Sequence, residues 1–106
     1  MTTAKGASLP IHPGEILKEE FLDPYGLSAN RLALSIGVAP NRITGIVNGE
    51  RSISGETAIL FAHAFKTTPE FWINLQSHYD LELARAQVSK DRVHGAEALS
   101  KELRPA

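Results

Sequence analysis

Residues 31–46 of this chain, R-L-A-L-S-I-G-V-A-P-N-R-I-T-G-I, constrain its fold more than any other stretch. Leu32, Ala33 and Ile36 share one helical face, and Gly37 breaks the pattern. Val38, Ile43, Ile46 and Val47 then start a second apolar face. Two short amphipathic helices joined through a glycine at this offset predict a helix-turn-helix, whose second helix can lie in a DNA major groove. Ala33 is expected where the two helices approach most closely, and Gly37 where the chain reverses and positive φ costs a glycine little.

The rest of the pattern is helical too. His12-Pro13-Gly14-Glu15 reads as a helix start, with proline at the first helical position and an acid near the positive helix end. Ile16, Leu17, Phe21 and Leu22 give that helix its apolar side, and Asp23-Pro24 is expected to end it. Ser28 is placed to cap the second helix, Pro40 to open the third and Asn48-Gly49 to close it. Ser54 caps a fourth helix, with Ala58, Phe61, Ala62 and Phe65 at helical spacing. Thr68-Pro69-Glu70 opens a fifth that carries Trp72, Leu75, Tyr79 and Leu83. No segment alternates as a strand would. Residues 1–11 read as a flexible arm, 12–86 as the folded domain, and 87–106 as a tail. In that tail Ala96, Leu99 and Leu103 hint at a weak helix that Gly95 interrupts, so it is expected to be frayed or only conditionally ordered. The fold class is all-α.

Composition narrows the function classes. A chain of 106 residues favours one domain with one core. It has no cysteine, hence no disulfide framework and no thiolate metal site. No apolar run approaches the roughly 20 residues that span a bilayer. Met1 to Pro10 lacks the apolar core of a secretory signal, so a cytoplasmic protein is expected. The net charge of −1 argues against an indiscriminate nucleic-acid binder, but its distribution is uneven. Residues 12–25 carry Glu15, Glu19, Glu20 and Asp23 against Lys18. Residues 26–53 carry Arg31, Arg42 and Arg51 against Glu50 alone, so the basic stretch coincides with the helix-turn-helix.

Candidate base-reading residues are those on the outward face of the second helix: Pro40, Asn41, Arg42, Thr44 and Gly45. Arginine can grip guanine O6 and N7 with two bonds, and asparagine can do the same for adenine N6 and N7. Ser28, Asn30, Arg31, Asn48, Arg51 and Ser52 are candidates for phosphate contacts that fix register. Each has a plainer alternative: Ser28 as an N-cap, Asn48 as a helix C-terminal residue, Arg31 as the partner of an acid such as Glu56. Phe71, Trp72, Leu75 and Tyr79 form an aromatic-rich stripe that is either core or, as a protein reading two half-sites requires, a dimer interface. His12, His63, His78 and His94 lack metal-ligand spacing, and His78-Tyr79-Asp80 cannot converge from adjacent helical positions. No catalytic group, metal or cofactor is expected.

His12-Pro13-Gly14-Glu15-Ile16-Leu17, Leu32-Ala33, Asn48-Gly49, Pro69-Glu70-Phe71-Trp72-Ile73-Asn74-Leu75-Gln76 and Tyr79-Asp80-Leu81 together resemble the HigA antitoxin family, within the phage-repressor-like (Xre) helix-turn-helix class. The resemblance covers about residues 10–86. It implies a five-helix domain that dimerises, binds a two-fold symmetric operator in its own promoter, represses its operon and neutralises a RelE-like mRNA-cleaving toxin. Repressors of this class often carry glutamine directly after the cap of the second helix; here that position is Ala29, followed by Asn30. Two alternatives stand beside this reading: a stand-alone Xre-type regulator without a toxin, and an interaction module that has lost DNA binding, which Ala29, Gly45 and the negative net charge would suit.

Overall fold

A computed structural model describes residues 9–105. Residues 1–8, most of the expected arm, lie outside that range. Every regular element among the described residues is helical, and there are six helices rather than five. Helix α1 begins as an α-helix at Pro13–Ile16, continues as a π-helical stretch, Leu17–Leu22, and closes in a 3-10 turn, Asp23–Tyr25. It is followed by α2 (Ala29–Ile36), α3 (Pro40–Val47), α4 (Gly55–Phe65), α5 (Pro69–Gln87) and α6 (Lys90–Glu102).

The helix starts follow from capping side chains. His12 caps α1, its ring Nδ1 accepting from the Gly14 amide at 2.9 Å. Ser28 Oγ accepts from the Arg31 amide (3.0 Å), Ser54 Oγ from Thr57 (3.3 Å) and Thr68 Oγ1 from Phe71 (3.1 Å). Gly37 takes φ 74°, and the Val38 amide closes back on the Ala33 carbonyl at 3.0 Å, the turn that makes α2 and α3 a helix-turn-helix.

Two departures have physical reasons. The α and π winding of the first helix stops at Asp23-Pro24 as expected, but a 3-10 turn then carries the chain on to Gly26 at φ 60°. The π winding before it bonds the Asp23 amide to the Lys18 carbonyl, five residues back. That wider turn brings Leu17 and Leu22, five apart, onto one face, and both are buried. The tail, expected to be frayed, forms α6 with Ser89 as its cap (Oγ to the Arg92 amide, 3.1 Å), and Gly95 does not interrupt it. No residue of α6 is buried.

The core joins α1 through α5. Leu17, Leu32, Ala33, Ile43, Ile46, Ile53, Ala58, Phe61 and Trp72 are its centre. Trp72 is fully buried with its ring 5.0 Å from those of Phe21, Phe61 and Phe71, and its indole N–H donates to Thr67 Oγ1 at 2.8 Å. Beyond this core the chain runs on. Its radius of gyration is 17.8 Å and its extents are 55 × 39 × 22 Å, whereas a compact domain of this length has a radius of about 12–13 Å. Helix α6 thus extends from the domain with its apolar residues uncovered.

Candidate nucleic-acid interface

Helix α3 owes its position to the helix before it and to one element more distant in sequence. Ile43 and Ile46 are fully buried and anchor its inner face against α2 and α1. Gly14 of α1 is indispensable to this contact, since a Cβ there would fall on the Ile46 carbonyl oxygen. Pro40 occupies the first turn, where its missing N–H leaves no bond unmade, and Ala39 precedes it without a capping side chain.

The outward face carries Pro40, Asn41 and Thr44, all exposed. Thr44 Oγ1 lies 3.4 Å from the Pro40 carbonyl oxygen, a back-bond within the helix. The other two expected base readers are placed differently. Arg42 lies on the flank nearest α4, where its Nη1 donates to Glu56 Oε1 at 2.9 Å, and its side chain retains 29% exposure. Arg31, exposed on α2, makes no ion pair among the described residues, so the acid weighed as its partner belongs to Arg42 instead. Gly45 offers no side chain to a base and is covered by Arg51: a Cβ on Gly45 would meet Arg51 Cβ at 3.2 Å and Cδ at 3.6 Å. The Gly45 carbonyl also accepts from the Glu50 amide (2.8 Å) and the Arg51 amide (3.1 Å). Gly45 therefore seats the loop that presents Arg51.

The expected phosphate contacts, Ser28, Asn30, Arg31, Asn48, Arg51 and Ser52, are all exposed. They fall on the start of α2 and on the end of α3 with its following loop. Ser28 is also the cap of α2 and Asn48 the C-cap of α3, followed by Gly49 at φ 78°. Ser52 is partly engaged, its Oγ accepting from Gln76 Nε2 at 3.3 Å.

Gln76 is the residue that sequence reasoning passed over. It is buried on α5; its Oε1 accepts from the Ile53 amide (2.8 Å), and its Nε2 also donates to Asp80 Oδ1 (2.9 Å). It ties the loop after α3 to α5 and so fixes where Arg51 and Ser52 emerge. The signal was present: Gln76 stands four residues after Trp72, on the face that otherwise turns inward. His12 supports the same loop from the other side. Its ring lies against Gly49 and 4.8 Å edge-on from Tyr79. Burial pushes its pKa down, and Asp80 and Glu15 oppose that shift.

The aromatic stripe divides. Trp72 is wholly inside the domain and has no surface to give a partner, so it is removed from the expected dimer contacts; a stripe alone does not separate core from interface. Phe71 and Tyr79 keep partial exposure, and Leu75 packs on the core from one side. Among the described residues no group of histidines and acids is arranged to hold a metal, and no helix is long and apolar enough to cross a membrane.

The comparisons agree with this geometry. The family profile described as Helix-turn-helix matches residues 17–72. Antitoxin HigA-1 of Vibrio cholerae is 42% identical over 72 residues, 68% of this chain and 68% of that protein. An addiction module antidote protein of the HigA family from Coxiella burnetii is 44% identical, with a TM-score of 0.71 over 92% of this chain and 99% of that one. Antitoxin HigA of Pseudomonas aeruginosa, solved with the higBA promoter, is 38% identical, with a TM-score of 0.72 over 91% and 97%. These relatives are antitoxins, not enzymes. The chain belongs to the helix-turn-helix family and, within it, to the HigA antitoxins.

Proposed function

We propose that this chain is the antitoxin and transcriptional repressor of a HigBA-like pair: it binds a two-fold symmetric operator in its own promoter, represses the operon and neutralises a RelE-like toxin. The observation that carries the DNA reading is the exposed outward side of α3 (Pro40, Asn41, Thr44), with exposed Ser28, Asn30 and Arg31 at the start of the helix packed on it and exposed Arg51 seated against its Gly45. A relative with 38% identity was solved with promoter DNA. Asn41 and Arg42 are the base readers; Arg51, beside Gly45, and Arg31 hold the phosphates. On this reading the protein works in the cytoplasm, with its DNA. The interaction-module alternative has lost one support, because Gly45 has a role in seating Arg51 that does not require a base contact.

A second copy completes the reader. An open groove of about 690 Å³ runs between residues 9–11 and α5, with Leu9, Ile11, Leu75 and Leu83 among its lining. Helix α6 carries exposed Val93 and Leu99, and exposed Leu103 follows at its C-cap. A helix of 13 residues, none of them buried among the described residues, is marginal in water, so this face calls for a cover. A homodimer joined through α5 and α6 supplies it and gives two recognition helices related by a two-fold axis.

The test is binding of the full chain to the DNA upstream of its own gene and to a random duplex of equal length, over a salt series. Preference for the promoter DNA is expected. Arg51→Ala should weaken both complexes and lower the salt slope by about one unit. Equal binding to both duplexes would overturn the repressor reading. Co-expression with the neighbouring toxin reading frame tests the other half: growth should be restored, and continued arrest would leave a stand-alone regulator.

A further inference from the structure

The Arg42–Glu56 pair has a geometry that bears on how DNA is read, and the reasoning rests on the operator-binding function proposed above. The pair joins α3 to the first turn of α4, two helices whose relative placement is set by the core. Glu56 is 71% exposed on its side chain, so the bond adds little to stability. Its effect is on the guanidinium. Glu56 takes Nη1, and Nε and Nη2 have no partner among the described residues. In a planar guanidinium those two N–H groups lie parallel on one edge, and that edge is one of the two forks able to grip guanine O6 and N7 together. A free arginine on this flank would rotate and meet any phosphate in reach, whereas a tethered one offers a fixed fork and a charge already half answered.

We propose that Glu56 is a specificity-determining residue: it holds Arg42 by Nη1 so that the Nε–Nη2 edge reads a guanine in the operator, and it masks the same charge from phosphates of unrelated DNA. Glu56 touches no base itself and acts through Arg42. The thermodynamic consequence is a difference of affinities. The carboxylate repels the backbone of every duplex alike, and only the duplex with a guanine at the right place recovers that cost through a pre-oriented fork.

The experiment uses the full-length protein, a promoter duplex and a random duplex. For Glu56→Gln, promoter affinity should fall about fivefold, the upper end of what an exposed ion pair contributes, and random-duplex affinity should hold or rise, so the ratio of the two drops. In an Arg42→Ala background the same change should leave the ratio where it is. Promoter duplexes carrying 7-deazaguanine at single positions add a readout that a structural role would not move. Wild-type protein should lose affinity at one guanine in each half-site, and Glu56→Gln should lose much less there. Thermal melting checks that the variant is folded. An unchanged ratio, or an equal drop with and without Arg42, overturns the assignment while leaving operator binding intact. Wild-type protein that does not distinguish promoter from random DNA overturns both.

Discussion

Gly14 lies directly against the main-chain carbonyl of Ile46, so that the first helix and the recognition helix touch backbone to backbone. The H-P-G-E opening is thereby more than a helix start. His12 caps α1, Pro13 sets its first turn, and Gly14 gives up its side chain so that α3 can be pressed close.

Gly14→Ala is therefore expected to be strongly destabilising. The methyl group has no flexible neighbour to displace, only backbone. Overpacking of this kind costs about 3 kcal/mol, or a fall in Tm of about 10 °C or more for a domain of this size. Calorimetry or melting by circular dichroism measures it. A variant within 2–3 °C (an approximate margin) of wild type would mean that the α1–α3 contact is looser than described.

Gln76→Leu should keep the volume of the α5 contact and lose the acceptor for the buried Ile53 amide. A buried donor left unsatisfied costs about 1–3 kcal/mol. Urea denaturation should report that loss, and amide exchange should show faster opening at residues 51–53 than in the core. Exchange unchanged in that loop would remove Gln76 as its anchor.

Stability should fall as the solution is acidified below neutrality, with His12 as a source. Burial lowers the His12 pKa from its ordinary value near 6.5, and its Nδ1 must stay unprotonated to accept from Gly14. The unfolded chain takes up its proton near that ordinary value and the folded chain only at lower pH. The native state is thus fully favoured above about pH 6.5, loses stability as the pH drops through the window down to the folded pKa, and loses no more from this group below it. His12→Asn retains a capping oxygen without a titrating ring, so its stability should vary less between pH 7 and 5. A variant with the wild-type slope would place the titration elsewhere.

Much of the fold was legible from local chemistry. Ser28, Ser54 and Thr68 mark helix starts because each satisfies an amide three residues on. Gly37 marks the turn because only glycine takes its φ cheaply. What escaped depends on distance or on partners. Arg42 and Glu56 are fourteen residues apart, and their bond follows from how α3 meets α4 rather than from spacing along either helix. Trp72 and Phe71 are adjacent and equally apolar; only the packing of Phe21 and Phe61 decides that one is core. Helix α6 has few apolar residues and a glycine in its middle, so periodicity hinted only at a weak helix around Ala96, Leu99 and Leu103.

That same helix offers a clean test of assembly. Leu99 is 55% exposed and belongs to no core contact, so Leu99→Asp cannot unfold the domain by disrupting its interior. If α6 covers a second copy, sedimentation should show a shift from dimer to monomer at about 10 µM, since the associated state is set by concentration, with the helicity of α1–α5 retained and that of α6 reduced. Wild type and variant both monomeric, or both dimeric, would remove α6 from the interface.

In the proposed dimer, two copies present α3 of each to successive major-groove faces of one operator. Binding to the promoter duplex, compared with the same duplex carrying about half a helical turn inserted between its half-sites, tests this most directly. Half-sites about 34 Å apart are expected, and the insertion should rotate one recognition helix off its groove and drop affinity to the level of random DNA. Unchanged affinity for the expanded operator would contradict the account.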